Sequence, residues 1–392
     1  MQVYINYQRR LRALQEELRR NKVDVLVGTR LKTITHVSGA FVPWRSAVVV
    51  PAEGEIQLIT VGMDARRIAE EGWLDNVIGY GIKPMMQLAV ERITALELAR
   101  GCIAIEDGYS WYLPEGMITQ HEHRMLVDAC PQATIVNLTH PIDLFMLIKE
   151  PEQIQLMRQA TAMCDNAQDA VRAAARPGMT ETEIAGIAER VLRDSGSEFA
   201  WTFTGGTEIA SGHRTWTGAC TPATRKIVQR GEFLLLDLHG MYGLMLGDVS
   251  HNAVMGEPTK PQRDLIDAYV QSCRYLLGQL KPGRTIAEVA REVRRFAVEN
   301  GWGDVVRGFG HGIGHFGNEW FPSFTDFAMP YVSEPNYTMQ PGFLEIMAVT
   351  CNKPGVGGLR FERAVVITES GAECLSHTPV EPWIYADRAI AA

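Results

Sequence analysis

One signature occurs twice in this chain and limits its fold more than any other feature. Pro177, Gly178, Thr180 and Glu183 open an amphipathic segment running to about Ser195; Pro282, Gly283, Thr285 and Glu288 open another running to about Asn300. In each, the Thr and the Glu three residues later form a capping box, whose side chains satisfy backbone donors that a helix start leaves unpaired. A single box is commonplace. Two of them, each after a helix and before a strand-rich stretch, describe an internal repeat. The expectation is two related α/β halves facing each other across a curved sheet, with a cleft as the natural result. Two unrelated capped helices would give the same local pattern, so the chemistry of the intervening residues has to decide.

The residues before the repeat have a different rhythm. Leu11, Leu14 and Leu18 give Tyr7 to Lys22 helical spacing, and a strand-like run starts at Val23. SAVVVPA, IQLITVG and CIAIED read as short β-branched strands, while Met85 to Arg100 and Glu115 to Ala129 read as amphipathic helices. This α/β domain is expected over residues 1–148. A long helix then begins near Lys149, is punctuated by Arg176, Pro177 and Gly178, and opens a second domain over 149–392. A length of 392 residues suits two such domains. The net charge of −8, with no basic stripe, weighs against nucleic-acid binding. The polar N-terminus and the lack of any run of membrane-spanning length point to the cytoplasm and to no membrane partner. Seven scattered cysteines without a CxxC pair suggest reduced thiols and neither a disulfide framework nor a zinc knuckle.

The candidate chemistry lies in four places. Residues 232–255, EFLLLDLHGMYGLMLGDVSHNAVM, read as strand, Gly-marked turn and strand. A hairpin there brings Asp237 close to Asp248, and two buried carboxylates at close range call for a cation between them. GFGHGIGHFGNE sets His311 among glycines that permit close backbone approach, and LRFERAVVIT sets Glu362 in an apolar strand. Histidine with carboxylates suits manganese, iron, cobalt or zinc. Strand-end aspartates on solvent would explain any one of these pieces; the ordered set Asp, Asp, His, Glu is a stronger signal.

With those residues in view, the chain resembles the family that includes methionine aminopeptidase, Xaa-Pro aminopeptidase, prolidase and creatinase. The resemblance implies an α/β (α+β) pita-bread catalytic domain of two pseudo-symmetric halves, preceded by a smaller creatinase/prolidase-type domain. It also implies five ligands around two metal ions, four of which match Asp237, Asp248, His311 and Glu362, the last within Arg360-Phe361-Glu362. The fifth, a Glu after the Pro341-Gly342 turn, falls at Ala348. Glu345 lies an odd number of residues away and should face the other side of its strand. His239, two residues after Asp237 and so on the same face, is a substitute ligand, with His315 as another.

Other departures concern acid/base groups. A family His upstream of the first Asp falls at Cys220, with His213 nearby; a second family His, before Glu319, falls at Asn318; and DxTRT reads Asp248-Val249-Ser250-His251-Asn252. Glu319, His251, His315, His213 and His311 are therefore the acid/base candidates. Cys220, Asn318, Arg360 and Trp216 are substrate-side candidates, with Trp201 and Phe203 as possible pocket walls. Trp44 and Arg45 precede a strand where creatinase has an Arg that reaches the partner subunit's site and holds the substrate carboxylate, which implies at least a homodimer.

The sequence thus leads to a hydrolase of a C–N, amide-type bond in a small carboxylate-bearing nitrogenous substrate, using one divalent ion in a reduced site. A conventional Xaa-Pro dipeptidase or aminopeptidase is the alternative. Metal-free creatinase-like hydrolysis, a lyase and a non-catalytic binding protein stay open.

Overall fold

Leu14 and Leu18 of the first helix, α1 (Tyr7–Arg20), are fully buried, as their spacing demands. The computed structural model describes residues 3–108, 115–200, 206–218, 221–320 and 337–387, leaving out the side chains of residues 309, 318 and 320. Its contacts divide the chain into Met1–Met146 and Leu147–Ala392.

The first unit holds strands β1 (Val25–Gly28), β2 (Ala47–Pro51), β3 (Gln57–Val61), β4 (Val77–Tyr80), β5 (Cys102–Ile105) and β6 (Thr134–Asn137). They form a mixed sheet in the order β4-β3-β2-β1-β5-β6. After α1 come α2 (Leu31–Ser38), α3 (Ala65–Glu71), α4 (Met85–Ala95), α5 (Gln120–Ala129) and α6 (Thr139–Leu147). Alternate residues of β1 serve two cores: Leu26 packs with Leu14, Leu18 and Ile142, whereas Val25 and Val27 pack with Met86, Ala89 and Leu126. This is the period of two expected of a strand covered on both faces. Two helices are shorter than their periodicity suggests. The fourth stops at Ala95 because Glu97 turns into the left-handed region at φ 62°. The fifth starts only at Gln120, where Thr119 and Glu122 form a capping box.

The second unit begins with α7 (Pro151–Ala174) and α8 (Glu181–Asp194), then β7 (Thr207–Ser211), a 3-10 turn at Gly212–Thr215, and the hairpin β8 (Phe233–Tyr242) and β9 (Met245–Val254). A parallel series follows: α9 (Lys260–Gln279), α10 (Ile286–Glu299), β10 (Val306–Ile313), β11 (Gly317–Trp320), and the hairpin β12 (Leu344–Lys353) and β13 (Gly357–Thr368). One sheet unites them in the order β11-β10-β12-β13-β9-β8-β7, with β14 (Gly371–Cys374) on β13 and β15 (Trp383–Ile384) on β9.

The repeat extends to individual hydrogen bonds. Thr180 and Thr285 cap α8 and α10 with complete capping boxes, and each also makes an isolated antiparallel bridge, to Ile227 and Thr338 respectively. Gly178 N–H donates to Val228 O and Gly283 N–H to Met339 O. Gly231 and Gly342 donate to Met255 and Ile367, which in turn donate to Glu232 and Phe343. Counting forward equally from these pairs makes Asp237 of β8 the counterpart of Ala348 in β12.

Two features place the first hairpin. Its two-residue turn, Gly243-Leu244, has φ of 57° and 60°, the mirror-image turn whose twist matches the flanking strands. Gly247 lies directly under α7, and a Cβ there would come within 2.5 Å of the backbone of Ala160 and Thr161. Helix and hairpin can meet this closely only because that position carries no side chain.

Candidate metal centre

The β8–β9 register sets His239 opposite Asp248 and Asp237 opposite Ser250. Residues opposite or two apart share a face, so all four project from the same side of the sheet. The β12–β13 register sets Ala348 opposite Glu362, and β10 sets His311 opposite Ile346. His311, Ala348 and Glu362 therefore share one face as well. Glu345, at an odd offset, lies opposite Gly312 and Val365 and belongs to the other face.

One ligand atom each of Asp237, His239 and Asp248 lies within 4.8 Å of the others, and the same holds for Asp248, His311 and Glu362. All five residues are buried. His239 Nε2 is 3.6 Å from Asp248 Oδ1, while His311 Nε2 is 3.6 Å from Asp248 Oδ2 and 3.9 Å from Glu362 Oε1. Each ring's Nδ1 is within reach of a backbone carbonyl, Gly206 O at 3.2 Å for His239 and Gly312 O at 3.0 Å for His311. A carbonyl accepts from Nδ1–H, so in the neutral rings both Nε2 lone pairs point at Asp248.

The carboxylates are tied by Ser250 and Arg360. Ser250 Oγ lies 2.7 Å from Asp237 Oδ1 and 3.1 Å from Glu362 Oε2. Arg360 donates through Nη2 to Glu362 Oε1 at 2.6 Å, approaches Asp237 Oδ2 at 3.5 Å, and donates through Nη1 to Gly218 O at 3.2 Å. Ser250 was not among the sequence-derived site residues, although its place two residues after Asp248 puts it on the ligand face.

Protonation shows how crowded this charge is. Burial opposes the imidazolium of His239, but Asp248, then Asp237 and Glu208, outweigh it and raise its pKa to about 10. Burial would raise Asp248, yet His239, His311 and Arg360 hold it below the ordinary carboxylate range. Glu362 is pushed well above the usual glutamate value, by burial first and then by Asp237 and Asp248, against the pull of Arg360. His311 is lowered, mainly by burial. Without a cation the cluster thus favours added protons, at His239 above all, and a metal would compete with them. Asp237 Oδ2 and Asp248 Oδ1 are buried with no hydrogen bond among the described residues. Buried oxygens in that state are costly unless a cation takes them up, and the carboxylate–imidazole donor set fits a divalent ion.

These features coincide with two matches along the chain. The profile of metallopeptidase family M24 covers residues 155–369, and that of the creatinase/prolidase N-terminal domain covers residues 10–145. The chain belongs to metallopeptidase family M24. It is 30% identical over 237 residues to a Xaa-Pro dipeptidase of Pyrococcus furiosus, an alignment covering 60% of this chain and 64% of that protein. The chain thus spans less than two thirds of that relative's length. Among solved structures it resembles the X-Pro aminopeptidase of Thermotoga maritima MSB8 (TM-score 0.82, 20% identity, 96% of this chain and 99% of the other). It also resembles the prolidase of Pyrococcus horikoshii OT3 (TM-score 0.79, 20% identity, 95% and 99%). The fold is accordingly the pita-bread α/β architecture with a creatinase/prolidase-type N-terminal domain.

The remaining candidates lie in several places. His251 faces away from this cluster. It lies three residues after Asp248, and that odd offset turns it to the opposite face, where its ring packs on Trp383 at 4.0 Å. His213 is exposed on the 3-10 turn, edge-on to the half-exposed Trp216. Glu319 accepts from the His315 backbone at 2.6 Å and pairs with buried Lys149 at 3.5 Å; His315 Nδ1 is 2.9 Å from Leu244 O. This set ties the β10–β11 turn to the β8–β9 turn. Trp201, Phe203, Cys220 and the side chain of Asn318 lie outside the described residues.

In the N-terminal unit Trp44 donates to Asp64. Arg45 engages both Glu122 oxygens and the carbonyls of Gly116 and Met117. Among the described residues these bonds take four of its five N–H groups. Among the described residues no helix is long and apolar enough to cross a membrane.

Proposed function

We propose that this protein is a metal-dependent dipeptidase that hydrolyses the amide bond of Xaa-Pro dipeptides. The observation that carries this reading is the buried cluster of Asp237, His239, Asp248, His311 and Glu362, with two carboxylate oxygens that have no hydrogen bond among the described residues. The relative named a Xaa-Pro dipeptidase, at 30% identity, supports the substrate class. A divalent ion held by these residues supplies Lewis-acid polarisation of the scissile carbonyl and a water of lowered pKa. The chain's own residues do the rest. The carbonyls of Gly206 and Gly312 aim the imidazoles, Ser250 orients Asp237 and Glu362, and Arg360 offsets the negative charge while its other end is held by Gly218 O. With His251 facing away, Glu319 and His315, on the same segment as His311, are the acid/base candidates. Homodimerisation and a cytoplasmic location belong to the same reading; sedimentation velocity checks the first.

A second reading keeps the amide hydrolysis but changes the substrate to a small non-peptide carboxylate. What favours it is Ala348, which faces the cluster where relatives of this kind are expected to carry a further carboxylate. The deciding experiment is proline release from a panel of Xaa-Pro dipeptides by chelator-stripped protein reloaded with manganese, cobalt or zinc. Metal-dependent release supports the dipeptidase. No release from any member, with cleavage of N-acyl amino acids by the same preparations, replaces it with the second reading.

A further inference from the structure

The two ligand groups around Asp248 are unequal, and their inequality predicts how this chain takes up metal. The first group, Asp237, His239 and Asp248, sits entirely on the β8–β9 hairpin. A two-residue turn and a full antiparallel register fix its geometry before any other strand is added. His239 Nε2 and Asp248 Oδ1 are 3.6 Å apart, too long for a hydrogen bond. That separation suits two ligands of one ion, since bonds of about 2.0–2.2 Å set ligand atoms roughly 3–3.6 Å apart. Asp237 Oδ2 and Asp248 Oδ1, which have no hydrogen bond among the described residues, are both in this group.

The second group, Asp248, His311 and Glu362, is assembled from β9, β10 and β13, three separate segments. Its Glu362 oxygens already meet Arg360 at 2.6 Å and Ser250 at 3.1 Å. The neighbouring position on that face is Ala348, whose methyl offers no ligand.

We propose that His239 is a metal ligand in this chain, that Asp237, His239 and Asp248 form the position that fills first, and that the Asp248, His311 and Glu362 position is the weaker one. The proposal deepens the metal-dependent reading above and rests on it for the presence of an ion. An imidazole in the first position also favours cobalt, zinc or iron over manganese, because nitrogen ligands suit the later transition metals.

The test is a cobalt(II) titration of chelator-stripped protein, followed by visible absorption and elemental analysis, with His239→Gln and His311→Gln in parallel. Wild type is expected to take up one tight equivalent before any second. His239→Gln should weaken that equivalent more than about 100-fold, beyond the roughly 10–100-fold that loss of an orienting partner alone costs, and His311→Gln should leave it within about threefold. The reverse ranking, or two equal equivalents in wild type, overturns the proposal. Should His239→Gln fail to fold, His311→Gln decides alone, retention supporting and loss overturning. No substrate enters the titration. Protein that binds cobalt as expected yet cleaves no Xaa-Pro dipeptide would fail only the substrate reading.

Discussion

The two hairpins of the second unit come from one structural plan and differ at the residues that matter. β8–β9 carries Asp237, His239 and Asp248 on one face; β12–β13 carries Glu362 and, at the counterpart of Asp237, Ala348. The framing is the same in both, down to capped helices, Pro-Gly turns and matched backbone hydrogen bonds. Helix contact differs as well. The first hairpin pairs Gly240 with Gly247 beneath α7, whereas the counterpart of Gly240 is Cys351, a buried thiol whose pKa burial raises. Repetition of backbone structure therefore does not carry repetition of chemistry. The first half supplies most of the ligands, and the second supplies one carboxylate plus, through β10, one imidazole.

The comparison can be broken most decisively at Asp248, the residue shared by both ligand groups. Asp248→Ala should lower affinity for any divalent ion by more than about 100-fold, beyond the 10–100-fold of outer partners. Elemental analysis of dialysed protein reads this directly, and retention of one ion per chain would mean that the centre lies elsewhere. Next is Gly247→Ala, which forces a methyl into the α7 backbone. We expect a loss of about 3 kcal/mol in urea unfolding, at the upper end for overpacking. An effect below about 1 kcal/mol would show that helix and hairpin are not in tight contact.

Ala348→Glu sharpens the comparison by restoring symmetry of charge. In metal-free protein the added buried carboxylate should lower Tm, and excess cobalt should raise it again while a second equivalent binds. A metal-independent Tm would show that this position does not face the centre.

A smaller effect is expected on the reverse face. Burial, with Arg363 and Arg172 nearby, keeps the pKa of His251 well below 6.5, so the folded protein holds this ring neutral. A depressed folded value gives stability that is complete above the unfolded pKa near 6.5 and is lost as pH falls toward the folded one. Between pH 7.5 and 5.5 stability should therefore fall, and His251→Leu should remove that slope from urea midpoints. An unchanged slope would assign the acid sensitivity to other groups. The least effect should come from the caps: Thr180→Ala and Thr285→Ala should each cost about 1 kcal/mol, and equal losses would show the two halves to be energetically alike.

The periodic parts of this protein follow from local sequence alone. Capping boxes are local, so Thr180 and Thr285 announced their helices; alternation is local, so the hairpin, the shared face of Asp237, His239 and Asp248, and the exclusion of Glu345 could all be read from spacing. The same alternation turns His251, at an odd offset from Asp248, to the other face, and it includes Ser250. Spacing could not tell that Arg45 spends its donors on Glu122 and neighbouring carbonyls, or that Glu319 meets Lys149 across 170 residues of chain. Nor could it tell that both imidazoles turn their Nε2 atoms toward Asp248. Those facts depend on strand order and on carbonyls from distant segments, and only tertiary packing decides which carbonyl a ring meets. Local energetics fix which face a side chain takes; the fold fixes what waits there.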